Sequence, residues 1–381
     1  MKIEQSYWTA TAGWKTTKPT VTENISPQFV FVFASGNLLN DPKIIDHLHV
    51  AYKHAKLIGC STSGEICGTK VRDHSVSATA VELENTHVEF ISIPVNDASQ
   101  SFDCGKALIK KFKPEGLRHV FLLSDGLNVN GSELVRGLKE SLPDGVSITG
   151  GLAGDGADFK ETFILSDSGS AISKHVSAIG FYGDRFQVGF GSFGGWDSFG
   201  LDRKVTKSKG NVLFQIDDQP ALELYKSFLG DKAAELPASG LLFPLRLRTK
   251  ADELPVVRTI LGVNEENQSI TFAGDIPEGA YVRLMKANTD RLIDGAVKAA
   301  QTIMNTNEQE APQLAILISC VGRKLVLKQL IEEEVEGAAS ILGKETVLTG
   351  FYSYGEISPF SNETSCELHN QTMTITTLSE I

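Results

Sequence analysis

Gly59-Cys60-Ser61-Thr62-Ser63-Gly64-Glu65-Ile66 and Gly350-Phe351-Tyr352-Ser353-Tyr354-Gly355-Glu356-Ile357 share the pattern G-x-x-x-x-G-E-I at identical spacing, near opposite ends of the chain. A third stretch, Gly150-Gly151-Leu152-Ala153-Gly154-Asp155, is one residue shorter and ends Gly-Asp. Each follows the same kind of unit. Phe29 to Ala34 is an apolar, aromatic-rich run of strand character. Asp41-Pro42 then opens a helix with Asp as N-cap and Pro in the first turn, and Ile44, Ile45, Leu48 and Tyr52 form its apolar stripe. A second strand leads into the glycine turn. The order returns from His119 to Leu123 through a helix begun by Asn130 and Glu133, and again from Leu314 to Ile318. Strand-like segments Val76 to Val81, Val176 to Phe181 and Met373 to Thr377 close the three copies.

This recurrence predicts an α/β (mixed α+β) protein of two domains, built from strand–helix–strand units with mixed sheets. The stretch between the second and third copies differs. It carries a short helix from Pro220 to Leu229, then strands at 241–247, 256–263, 270–273 and 280–285, then a helix from Asn288. The expected boundary lies near residue 215, dividing domains at 28–215 and 216–377.

Composition narrows the function. Lys and Arg total 36 against 47 Asp and Glu, a net charge of −11, which opposes binding to nucleic acid or an anionic membrane. No apolar run approaches the roughly 18 residues of a membrane helix, and Met1 to Lys18 lacks the apolar region of a secretory signal. The five cysteines are scattered, without a C-x-x-C pair, as expected of reduced thiols in the cytoplasm.

No enzyme motif emerges. Gly59 to Gly64 reads G-x-S-x-x-G, one residue too long for a nucleophile elbow. No P-loop lysine follows a glycine turn, and Gly150 to Gly156 leads towards a strand, whereas a dinucleotide fingerprint needs a helix. Loops at the carboxyl ends of strands are where α/β proteins hold ligands. Ser61, Thr62, Glu65, Asp155, Tyr352, Tyr354 and Glu356 are therefore the candidate pocket residues. His369 shares strand parity with Gln371, Met373 and Ile375 and is expected to point inward.

The segments GCSTSGEI (59–66), ITGGLAGDG (148–156), GWDSFG (195–200), PALELYKSFLG (220–230), GFYSYGEISP (350–359) and LHNQTMTIT (368–376) together resemble the FIST family of bacterial sensory modules. The resemblance covers about residues 28 to 377. It implies an N-terminal and a C-terminal FIST domain, small-ligand sensing in signal transduction and no enzymatic activity. Similarity to stand-alone members further implies a haem-based nitric oxide sensor that regulates a partner histidine kinase. The haem b would be non-covalent, since C-x-x-C-H is absent, and His369, the histidine inside a family-like segment, is the nominated axial ligand. The alternative is a haem-free binding module for a small polar metabolite such as an amino acid.

Overall fold

Alternation within Phe29–Ala34 sets the architecture. Phe29, Phe31 and Phe33 point to one side of their strand, and Val30, Val32 and Ala34 to the other, and all six are fully buried. A strand buried on both faces needs a layer on each. In the computed structural model, which describes residues 1–18, 25–166, 169–250, 254–306, 311–361 and 364–381, the outer layer is the helix Pro42–Ala51. The inner layer is the other two repeats. Phe121 and Leu123 from the second, and Leu314, Ile316 and Ile318 from the third, meet the three phenylalanines in one central core. Burying each such side chain contributes about 1.5–3 kcal/mol.

The three copies are the same module. Each has a leading strand (Phe29–Ala34, Leu117–Ser124, Leu314–Cys320) paired in parallel with a second strand (Lys56–Ser61, Ser147–Leu152, Val347–Ser353). Each leading strand also pairs antiparallel with a closing strand (Ser75–Glu82, His175–Tyr182, Met373–Glu380). An outer strand (Lys2–Thr9, His87–Pro94, Phe186–Phe193) lies antiparallel against each closing strand.

The remaining edge of each second strand is filled by another repeat. After its glycine turn, repeat 1 sends Glu65–Cys67 onto Val347–Ser353 of repeat 3. Repeat 3 sends Gly355–Pro359 onto Ser147–Leu152 of repeat 2. Repeat 2 sends Ile164–Leu165 onto Lys56–Ser61 of repeat 1. Each exchanged strand is the first arm of a hairpin, completed by Lys70–Arg72, Cys366–His369 and Ala171–Ile172 respectively. The ring closes, so the three sheets form a three-sided prism with approximate threefold symmetry.

Two further features repeat at equivalent positions. His74, Lys174 and Gln371, each just before a closing strand, adopt positive φ (51°, 53° and 63°), a region that L-residues enter seldom. Gly59, Gly150 and Gly350 lie so close to the leading strand that an added Cβ would sit 1.9 Å from the carbonyl oxygen of Val32, Leu122 or Leu317.

Between Phe186–Phe193 and the helix Thr289–Thr306 the chain builds a separate antiparallel sheet with its own core around Leu213, Tyr225, Phe272 and Val282. Arg323, fully buried, fastens this insertion to the prism. Its Nη1 donates to the carbonyl of Gly194, where the chain leaves repeat 3, and its Nη2 donates to the carbonyl of Leu292, where it returns (2.7 Å). The same guanidinium pairs with buried Glu334 at 2.7 Å.

The expected mixed α/β class holds, and most expected elements are present. The helix at Pro42–Ala51 has Asp41 as its side-chain cap, and Asn130 caps Gly131–Ser141. The expected strand at 241–247 is instead a 3₁₀ turn, Ala238–Leu242, followed by the strand Leu245–Arg248, because Pro244 lacks the amide that the interior of a strand needs and is tolerated only at its start. Residue 215 lies inside the strand Val212–Ile216, and the sheets of the prism draw strands from both sides of it.

Because the close approach at the three glycines is to backbone, no side-chain rotation relieves it. Gly350→Ala is expected to destabilise the fold by about 3 kcal/mol, at the upper end for overpacking. The check is the denaturant midpoint, with Gly279→Ala, where nothing lies within 4 Å, as the control for a substitution at positive φ.

Candidate functional site

The glycine turns meet at one end of the prism and are packed shut. Glu65 lies 2% exposed; its Oε1 accepts from Thr62 Oγ1 (2.5 Å), and its Oε2 from the amide and hydroxyl of Ser75 (3.1 and 2.6 Å). Glu356 repeats this arrangement with Ser353 (2.7 Å) and with the hydroxyl and amide of Thr372 (2.8 and 3.2 Å). Both carboxylates tie a glycine turn to the start of a closing strand. In repeat 2 the start of the closing strand is held instead by Asp125, whose Oδ2 accepts from the amide of Lys174 (2.6 Å) and whose Oδ1 accepts from Thr162 (3.0 Å).

Asp155 does not take the corresponding place. It receives the amides of Phe159, Lys160 and Glu161 and the hydroxyl of Tyr354, whose ring stacks on Phe159. Ser61 Oγ accepts from the amide of Phe163 (2.9 Å), and Tyr352 turns its hydroxyl into repeat 3, onto Glu334 (2.7 Å). The seven candidate pocket residues are thus brought to one end of the prism, but their side-chain polar atoms are all engaged within the protein, that of Tyr352 inside repeat 3 and the others around the turns.

His369 is inward, as its parity indicates, and wholly enclosed. Nε2 lies 2.7 Å from the carbonyl of Ser358, Phe360 meets the ring edge-on at 4.5 Å, and burial lowers its pKa to about 4. Among the described residues Nδ1 has no partner, yet His369 lines neither of the two clefts described next. An axial ligand needs an apolar slot opening on its free nitrogen. These surroundings do not fit a haem on His369.

Those two clefts lie around the hairpin of repeat 3. One, about 720 Å³, runs past Arg118, Ser147, Phe186 and Pro359. The other, about 620 Å³, separates the helix Gly131–Ser141 from the inserted sheet. Ser132, Glu133, Arg136 and Lys139 form its helical wall, and Leu247, Val256, Arg258 and Asp275 its sheet wall. Its walls belong to units with separate hydrophobic cores. They are linked by Asn130 Nδ2 donating to Asp275 Oδ1 (2.9 Å) and by the amide of Asp275 donating to Ser132 Oγ (3.2 Å). Lys139 pairs across the rim with Glu367 at 2.7 Å.

The smaller cleft holds the feature sequence reading missed. Arg258 is 5% exposed, and its Nε and Nη1 donate to the carbonyls of Asp275 (3.2 Å), Val257 (3.3 Å) and Leu368 (3.0 Å). Burial pulls its pKa down to about 10, against the more distant charges of Asp275 and Glu367. A lone arginine in the apolar run Val256-Val257-Arg258-Thr259-Ile260 was the available signal.

Residues 28–219 match the FIST N domain and 221–359 the FIST C domain. The chain is similar to an uncharacterized protein of Methanocaldococcus jannaschii, 22% identical over 339 residues, covering 82% of this chain and 64% of that relative's length. Among solved structures it is matched with a cyanuric acid hydrolase from A. caulinodans at 10% identity, covering 77% of this chain and 99% of that one, at a TM-score of 0.19, too slight a likeness to bear on chemistry. Among the described residues, no helix is long and apolar enough to cross a membrane.

The buried glutamates make stability depend on pH. Burial raises Glu65 to about 7 and Glu356 to about 8, from an ordinary value of 4.5, despite their hydrogen bonds. The folded state therefore holds these protons more tightly than the unfolded state does. Their contribution is full below pH 4.5 and is lost as pH rises through 7 to 8. Thermal melting should accordingly fall across this window, and Glu356→Gln, a neutral isostere, should flatten the decline. A Gln variant whose melting temperature falls with pH as steeply as wild type would contradict the assignment.

Proposed function

Since this chain belongs to the FIST family, whose domains are associated with small-ligand sensing in signalling, we propose that it is a haem-free sensor of a small polar metabolite, bound between the helix Gly131–Ser141 and the inserted sheet. The observation that carries this reading is the cleft itself: about 620 Å³, with charged side chains on both walls, and set between units with separate cores. A ligand touching both walls favours whichever spacing of the two units it fits best. That differential affinity is what a switch requires. An amino acid is one candidate, with its acid group towards Arg258 and its amine towards Asp275.

The family resemblance also suggests a haem-based nitric oxide sensor. His369 Nδ1, buried without a partner among the described residues, is the observation in its favour, while the closed packing around the ring opposes it. Output through a partner histidine kinase is proposed for either reading. A binding role, with no catalysis, is supported by the way Ser61 and Thr62 use their hydroxyls within the turn hub.

Hydrogen–deuterium exchange with a library of polar metabolites tests the proposal. The expected outcome is ligand-dependent protection on both walls, at 131–141 and 256–275, with no Soret band from the protein as isolated or after haem addition. Protection confined to one wall would sink the switch. A stoichiometric Soret band lost in His369→Ala would instead establish the haem reading.

A further inference from the structure

Arg258 presents a charge with no ion-pair partner among the described residues. The other cations of the cleft are matched. Arg136 pairs with Glu133, and Lys139 with Glu367. Arg258 forms no ion pair among the described residues. Its bonds run to three backbone carbonyls and leave Nη2 with no acceptor among the described residues. Taking a guanidinium out of water is costly unless something compensates the charge. Carbonyl dipoles do so in part, as they would for any cation. A planar fork with one arm free on a cleft wall is the arrangement that recognises an oxyanion.

The surroundings keep that fork in place. Gly274 packs against it so closely that an added Cβ would lie 2.9 Å from Nε and 3.1 Å from Cζ. Leu368, whose carbonyl takes Nη1, lies on the exchanged hairpin of repeat 3, so the guanidinium is fixed from the prism as well as from the inserted sheet. The carboxylates around the cleft set the charge of the anion. Glu133 and Glu367 are neutralised by their pairs, while the Asp275 carboxylate accepts from the Asn130 amide, forms no ion pair among the described residues and offsets the Arg258 charge in part. A monoanion neutralises Arg258. A dianion such as phosphate would add an uncompensated charge facing Asp275.

We infer that Arg258 is an anion receptor, and that the cleft takes a small organic monocarboxylate whose acid group sits on its free guanidinium arm. This rests on the cleft being the sensing site.

The test is calorimetric titration of the full chain with monocarboxylates from lactate to benzoate, each beside its neutral amide, and with inorganic phosphate. The expected result is saturable binding of at least one acid and no binding of its amide. Arg258→Gln should weaken that acid by about 10- to 100-fold, the loss of one charged hydrogen bond. Gly274→Ala, which displaces the guanidinium without removing its charge, should weaken it in the same direction and guards against a folding defect in the first variant. Ser132→Trp fills the cleft from the opposite wall. Acid and amide binding alike, abolished by Ser132→Trp but indifferent to Arg258→Gln, would leave the cleft as the site and overturn the anion receptor. Binding indifferent to Ser132→Trp overturns both. Phosphate binding above every carboxylate, or no acid binding at tens of millimolar, overturns the assignment of Arg258.

Discussion

The prism depends on one constraint: no repeat can complete its own sheet. A β-strand edge offers unpaired amides and carbonyls, and the second strand of each repeat has such an edge facing inward. The hairpin thrown over by a neighbour fills it, in the order 1 to 3, 3 to 2 and 2 to 1. The central core then follows from geometry. Once the sheets are locked in a ring, the inner face of each leading strand meets the other two, and only large apolar side chains fill the space. The outer helices need only cover the outer faces. The inserted sheet is fastened at both chain crossings by the single buried pair of Arg323 and Glu334.

Ionisable groups are buried at two places, for different physical reasons. At the turn hub, Glu65, Asp125 and Glu356 replace water with several donors each, and each holds the start of a closing strand. Asp125 comes from the end of the leading strand and the two glutamates from beyond the glycine turn. Equivalent geometry is thus reached from different positions in sequence. Arg258 has no such matching set. Its compensation is incomplete, and it lies where two separately packed units face each other.

Much of the fold was legible because its signals are local. The alternating run Phe29–Ala34, the caps at Asp41 and Asn130, and the shared G-x-x-x-x-G-E-I spacing act through neighbouring residues, and they predict the elements that form. The exchange was not legible: a strand leaving a turn does not specify which edge receives it, and here the partners lie far along the chain. The acidic turns were recognised as related, and Glu65 and Glu356 do play one role. Asp155 does not, because the shorter middle copy leaves it beyond the turn, among the amides of residues 159–161. Parity placed His369 inside but said nothing of the Ser358 carbonyl or of Phe360. Arg258 becomes informative only when its neighbours in space are known, since a strand sequence cannot tell a paired charge from an unpaired one.

The ring also imposes an order on synthesis. Translation delivers the chain from its N-terminus, yet the sheet of repeat 2 is completed by Gly355–Pro359 and that of repeat 3 needs Glu65–Cys67. Leu152 must wait roughly 200 residues for its partner Gly355, on the order of 10–40 s at ordinary elongation rates. During that interval the first two repeats stand on the ribosome with an open sheet edge and an uncovered aromatic core face. Such surfaces attract chaperones and invite pairing between nascent chains on neighbouring ribosomes. The symmetry that closes the finished protein makes the third repeat the step on which closure of the ring waits.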